Sequence, residues 1–201
     1  MTIKYPVGTV RDLLTTDLVT EATRQALVKR LNTPPRQPTF FSTDEFTLLQ
    51  AVCDRLVPQG ETDQPIPVAD GIDERLSGSE TNGWRYDTMP TDGDAYKLGL
   101  KGIDESAQAL FQQPFLSLTG GEQDQVLKAI QLMEAPGETW QTLPADRFFE
   151  ELLAEAVENY YSHPIAQEEI GYVGMADTPT WKRVGLDQLE DREPRAVQIN
   201  E

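Results

Sequence analysis

Ser42-Thr43-Asp44-Glu45 stands directly before a run in which Phe46, Leu49, Val52, Cys53 and Leu56 recur at helical spacing. A start signal joined to a 3.6-residue period permits little except an α-helix. The Ser42 hydroxyl can accept from the Glu45 backbone N–H, and the Glu45 carboxylate can reach back to that of Ser42. Asp44 and Glu45 also favour the positive end of the helix dipole. Phe41, just before the cap, is placed to pack on Phe46 as a hydrophobic staple. Pro58-Gln59-Gly60 closes the segment.

The same logic repeats along the chain. Thr16 or Asp17 opens a helix to about Leu31, with Leu18, Ala22, Ala26, Leu27 and Leu31 on one side, and Asn32-Thr33-Pro34-Pro35 ends it. Residues 33–40 form a stiff extended linker. A short helix runs from Val68 to about Leu76. Residues 77–92 are rich in Gly, Ser, Thr, Asn and Asp and make a loop carrying Trp84 and Tyr86. A long helix covers Asp94 to Phe111, with Tyr96, Leu100, Ile103, Ala107, Leu110 and Phe111 apolar. A second capping box, Thr119-Gly120-Gly121-Glu122, leads Val126, Leu127 and Ile130 into another helix. Ala145 to Tyr161 is a further helix, in which Phe148, Phe149, Leu152, Leu153, Ala156 and Val157 recur as apolar pairs. The tail from Ser162 shows no clear period, and no strand-type alternation persists. The expected fold is all-α: an irregular helical bundle with long aromatic and Pro/Gly-rich loops.

Composition narrows the function. The 201 residues hold 17 Lys and Arg against 34 Asp and Glu, a net charge of −17, with one Cys and one His. One Cys excludes an intramolecular disulfide framework and a zinc site of several thiolates. The acidic balance argues against nucleic acid as a partner, because neutralising phosphates takes clustered Lys and Arg. No apolar run approaches the ~20 residues of a membrane span. The charge is uneven. Residues 1–40 carry Lys4, Arg11, Arg24, Lys29, Arg30 and Arg36 against Asp12, Asp17 and Glu21, so the arm is +3 and the rest −20. Three regions result: a basic arm with helix and Pro-rich linker over 1–39, a helical domain over 40–185, and a polar tail over 186–201. The arm is expected to lie against the acidic body or against an acidic partner. With no secretory signal legible at the start, the expected location is the cytoplasm, and the alternative is the periplasm by co-export with a partner.

Candidate chemistry is thin. Cys53 falls at a core position and reads as a small buried hydrophobe, with a reactive thiol as the other reading. His163 follows the helix ending in Tyr160-Tyr161, where an imidazolium is favoured against free carbonyls; a partner contact or a catalytic base are the alternatives. Glu150, Glu151, Glu155 and Glu158 interleave with apolar residues as a solvated face. Asp70, Asp73 and Glu74 lack the spacing of a calcium loop. Gly120-Gly121 belongs to no nucleotide-binding motif. Gly171-Tyr172-Val173-Gly174 is either a place of close backbone approach or an ordinary turn. Trp181 beside Lys182 and Arg183 makes an aromatic–cationic patch of the kind interfaces use, or folds back on the body.

Three blocks together resemble the gluconate 2-dehydrogenase subunit 3 family. The first runs from Phe41-Ser42-Thr43-Asp44-Glu45-Phe46 to Arg55-Leu56-Val57-Pro58 and on to Val68-Ala69-Asp70-Gly71-Ile72. The second is Tyr96-Lys97-Leu98-Gly99-Leu100-Lys101-Gly102-Ile103-Asp104, followed by Pro114-Phe115-Leu116-Ser117-Leu118-Thr119. The third is Phe148-Phe149 through Tyr160-Tyr161-Ser162-His163-Pro164 and Glu169-Ile170-Gly171-Tyr172-Val173-Gly174. The resemblance implies a helical, non-catalytic accessory subunit that binds and helps mature a separate FAD-containing large subunit. It places the flavin outside this chain and implies no cofactor or metal here. It also implies electron transfer to a cytochrome c subunit or another acceptor. Relatives often carry a twin-Arg export signal where this sequence has its basic arm. Some join the large subunit through a disulfide; Cys53, at a core position, is not read that way. The expected contact surface is Tyr161, His163, Pro164, Gly171, Tyr172, Gly174 and Trp181. The competing readings are a stand-alone enzyme with His163 as base, and an acidic helical binding protein.

Overall fold

The structure, a computed structural model, describes residues 2–60, 64–78, 87–177, 182–183 and 185–199. Its helices are α1 (Thr9–Leu13), α2 (Glu21–Asn32), α3 (Thr43–Leu56), α4 (Val68–Ser77), α5 (Asp92–Phe111), α6 (Gly120–Gln131), α7 (Ala145–Tyr161) and α8 (Pro164–Glu169). The fold is all-α. Among the described residues one short ribbon pairs β1 (Thr2–Lys4) antiparallel with β2 (Val197–Ile199), Ile3 opposite Gln198, with strands too short for any alternation to show in sequence. Trp84 and Tyr86 lie outside the described residues. The chain divides by packing into two compact units, 35–159 and a second made of 1–34 with 160–201. The boundaries drawn from the sequence, at 39/40 and 185/186, follow composition instead.

The unit 35–159 grows from the α3 capping box. The Ser42 N–H donates to Glu45 Oε2 at 2.8 Å, and the Glu45 N–H donates to Ser42 Oγ at 3.3 Å. Phe46, Leu49, Val52 and Cys53 are buried along one stripe, against α4, α5 and α6. Phe41 is buried too, but its ring neighbours are Phe40, edge-on at 4.8 Å, and Tyr96 at 6.3 Å. α5 begins at Asp92, two residues before the expected start, because Thr91 is its cap and accepts from the Asp94 N–H. α6 opens as expected, with Glu122 Oε2 accepting from the Thr119 N–H at 2.8 Å. α7 has the expected bounds.

Two glycines inside α5 permit the packing of that helix. A Cβ at Gly99 would overlap the Phe148 ring, and one at Gly102 would lie 2.6 Å from the Trp140 indole. Each interior glycine costs about 1 kcal/mol of helix propensity relative to Ala. Seating the rings on the bare helix offsets that, since burying one large apolar side chain is worth about 1.5–3 kcal/mol. The rings continue an aromatic series, with Tyr96 to Phe148 at 6.1 Å and Phe148 to the half-buried Trp140 at 5.9 Å. The Trp140 Nε1–H donates to Ser106 Oγ at 2.8 Å, so the indole is satisfied.

The segment read as a stiff extended linker is tied down along part of its length. Asp73 on α4 accepts from the backbone N–H groups of Thr39 (2.7 Å), Phe40 (3.0 Å) and Phe41 (3.0 Å), and from the Thr39 hydroxyl. Asp70 accepts from the Arg36 N–H at 3.0 Å. An extended chain exposes its donors, and two carboxylates one helical turn apart collect them.

In the second unit, Val10, Leu14, Val19 and Leu27 pack with Val173, Met175 and Ala176. The first long helix starts at Glu21, not at Thr16 or Asp17. Thr16 turns back to the Leu13 carbonyl at 2.7 Å, ending α1, while Thr20 is extended and held by Asp177 from both N–H and hydroxyl at 2.7 Å. The tail, read as aperiodic, contains α8. Six residues are too few for a period to register, but Pro164 at its first turn is well suited to that place.

Candidate interface residues and buried polar centres

The residues named for an interface meet different fates. Tyr161 and Tyr172 are 41% and 50% exposed, while His163 and Pro164 are buried. Gly171 adopts φ 65°, a left-handed conformation suited to glycine, and its bare Cα faces the Tyr5 ring. Gly174 lies against the Tyr172 phenol. Trp181 lies outside the described residues.

His163 is not the charged helix C-terminus expected of it. It is the N-cap of α8, and its Nδ1 accepts from the Ile165 N–H at 3.3 Å. The ring also bonds the Arg30 backbone, and Arg30 Nη1 donates to the neighbouring Ser162 carbonyl at 3.1 Å. An accepting Nδ1 requires neutral imidazole. Burial is the main reason its pKa lies below the ordinary histidine value, with the nearby Arg30 charge acting the same way and the hydrogen bond to the Arg30 backbone opposing.

The solvated face assigned to α7 contains a buried ionic centre, a correction to the reading of Glu155. Its carboxylate, 7% exposed, takes the Arg75 guanidinium in a two-point grip, Nε at 2.5 Å and Nη2 at 2.7 Å. The Tyr96 hydroxyl also donates to Glu155. Arg75 Nη1 reaches Asp92 at 2.8 Å. Burial opposes charge on Arg75, but Glu155 and then Asp92 outweigh it and raise its pKa. Burial, then the Glu155 charge, pushes the Tyr96 phenol well above its usual value. This centre joins α4, α5 and α7. Planar guanidinium and carboxylate suit such a grip. Its sequence signal is faint: an Arg on α4 whose partner stands 80 residues away.

Two further carboxylates anchor backbone. Glu168 is 6% exposed and accepts from the Gly8 and Arg11 N–H groups, each at 3.0 Å, and from the Arg11 side chain. Burial opposes its ionisation, but Arg11 and these N–H donors prevail and lower its pKa. Asp73 behaves alike: burial raises, and its backbone and hydroxyl donors more than reverse the effect. Cys53 is buried as expected, and burial drives its thiol far above the usual range. Among the described residues no group of three or more His, Cys, Asp or Glu is placed to hold a metal ion, and no helix is long and apolar enough to cross a membrane.

The fold and these centres define a helical protein whose buried carboxylates Asp70, Asp73, Glu155 and Glu168 hold its own elements together. The gluconate 2-dehydrogenase subunit 3 family model matches residues 43–177, about two thirds of the chain. The chain belongs to that family and is thereby a subunit type of a dehydrogenase complex. No curated protein and no solved structure matches it.

Proposed function

We propose that this chain is the non-catalytic small subunit that binds and helps mature the FAD-containing large subunit of a gluconate or sugar dehydrogenase complex. The family match over residues 43–177 carries the reading. The side chains support it. His163, the base a stand-alone enzyme would use, has its Nδ1 committed to the Ile165 N–H and is buried. Cys53 is a buried thiol held far from thiolate character. The FAD belongs to the large subunit and this chain carries no cofactor; a cytochrome c subunit is the proposed electron acceptor. Tyr161 and Tyr172 are exposed aromatics suited to anchoring a partner.

Co-expression with a gluconate or sugar dehydrogenase flavoprotein subunit from the same genome, followed by affinity purification on this chain, tests the proposal. A yellow complex that reduces dye with gluconate or sugars, beside a colourless and inactive isolated chain, is the expected result. Sugar-dependent dye reduction by the isolated chain, lost in His163→Ala, would establish the enzyme reading instead.

A further inference from the structure

α5 is not covered along its whole length. Between its outer face, the start of α3 and the turn at Phe115–Ser117 runs a trough of about 880 Å³, open to solvent on one side. Its floor is apolar: Leu48, Leu100, Ala109, Pro114 and Leu116. Leu116 is 48% exposed although its neighbour Phe115 is fully buried. The walls are charged, with Asp44, Glu45, Asp104 and Glu105 against Lys97 and Lys101, a surplus of two negative charges.

These charges are already oriented. Asp104 accepts from the Phe115 N–H at 2.8 Å, and Glu105 from the Thr139 N–H at 2.9 Å. Lys101 pairs with Glu105 at 3.2 Å, and the Lys97 ammonium sits 4.6 Å above the Phe40 ring. Glu45 is held by its capping box. The walls are therefore preorganised, which lowers the entropy lost when something docks. From Lys97 to Gln112 the trough follows α5 for about 22 Å at 1.5 Å per residue, four helical turns. Small-molecule sites enclose most of their ligand. An open trough of this length with an apolar floor matches the helix-in-groove mode, where an amphipathic helix lays its apolar face down.

We propose that this trough docks one amphipathic helix of the flavoprotein subunit, with Leu or Met on its inward face and Lys or Arg flanking it to meet the surplus carboxylates. The inference rests on the subunit reading above and adds where the partner binds and with what chemistry. Leu116 is the central contact on the floor, and the acidic walls set orientation and ionic-strength dependence.

The test measures affinity for the purified large subunit with three variants. Leu116→Glu replaces the exposed apolar contact, and Gln108→Lys adds like charge for the incoming helix. Leu132→Glu is the control, an equally exposed leucine outside the trough. Leu116→Glu and Gln108→Lys should each weaken binding at least about tenfold, with unchanged circular dichroism, and Leu132→Glu should not. Raising salt from about 0.05 M to about 0.5 M should weaken wild-type binding. If wild type binds and the trough variants bind equally well, the trough is not the site, while the subunit reading stands. If Leu132→Glu weakens binding as much as Leu116→Glu, the trough assignment fails as well. A concentration-dependent dimer of the isolated chain, lost in Leu116→Glu, would assign the trough to self-association. If wild type does not bind, the subunit reading itself falls and takes the trough with it.

Discussion

Replacing Glu155 by Ala should unfold the chain more readily than any surface change, and the amount follows from what Glu155 touches. The side chains of Arg75 and Glu155 are 16% and 7% exposed, so solvent does little to soften the loss. Removing one member of a buried ion pair costs about 3–5 kcal/mol; Arg75 keeps Asp92 at 2.8 Å, so the low end of that range applies. The buried Tyr96 hydroxyl loses its acceptor as well, which adds about 1–3 kcal/mol. These effects share one site and do not simply add. About 4–6 kcal/mol is expected, a large part of the 5–15 kcal/mol that holds a typical domain. Urea unfolding followed by circular dichroism should show the midpoint fall at nearly constant m-value.

The triple variant Arg75→Met, Glu155→Leu, Tyr96→Phe supplies the decisive comparison. It removes the Arg75 and Glu155 charges and the Tyr96 hydroxyl while keeping most of the volume, and Asp92, 19% exposed, is left for water to solvate, so it should recover to within about 2 kcal/mol of wild type. Recovery would show that the cost of Glu155→Ala lies in buried groups left less than fully compensated, the Arg75 charge and the Tyr96 hydroxyl, not in a lost attraction. A single variant within about 1 kcal/mol of wild type, or a triple variant no better than Glu155→Ala, would refute the reasoning.

Three further outcomes follow from other contacts. Asp73→Asn should cost about 1–3 kcal/mol near neutral pH, since an amide has one accepting oxygen where the carboxylate collects three N–H groups and a hydroxyl. The Asp73 pKa is lowered in the fold, so its stabilisation is full above the unfolded value near 3.9 and is lost as pH falls through the folded one. Urea midpoints should therefore separate the variant from wild type at pH 6 and draw together below about pH 4. The single His163 needs no assignment by NMR, and its ring protons should titrate below the ordinary value of about 6.5. His163→Asn, which keeps an N-cap acceptor, should fold but lose the stability change below pH 6.5 that comes from burying a neutral imidazole. Met133 closes α6 at φ 59°, where an L side chain is strained, so Met133→Gly should raise the thermal midpoint through about 0.5–1 kcal/mol.

Local interactions were legible in the sequence and distant ones were not. The Ser42–Glu45 box and the bounds of α7 rest on contacts within one or two turns, and a linear reading recovers them. Glu155 misled because its pattern on α7 matches an exposed stripe; Arg75, which makes it internal, stands on another helix. The start of α2 failed for the same reason: Thr16 and Thr20 are both plausible caps, and the choice is made by Asp177, 157 residues from Thr20. In sequence Asp73 raises only the question of a calcium loop, which its spacing excludes, yet it collects the backbone donors of residues 39–41. His163 reads in sequence as following the helix that ends at Tyr161, which it does, but not as the cap of α8, because that helix is too short to announce itself.

The same contacts change what the charge means. The basic arm once offered two fates, lying on the body or meeting an acidic partner. Four of its arginines are engaged within the chain: Arg11 on Glu168, Arg24 on the Thr16 and Val19 carbonyls, Arg30 on the Ser162 carbonyl and Arg36 on Glu74. The acids that answer burial, Asp70, Asp73, Glu155 and Glu168, are likewise occupied by internal donors. Most of the 34 acidic residues stand outside this internal set, so the surface left for a partner is negative. A partner complementary to it is basic where it touches, and its on-rate should carry the salt dependence of long-range steering. The trough along α5 adds an apolar floor to that negative surface, which turns a general attraction into one that selects a helix.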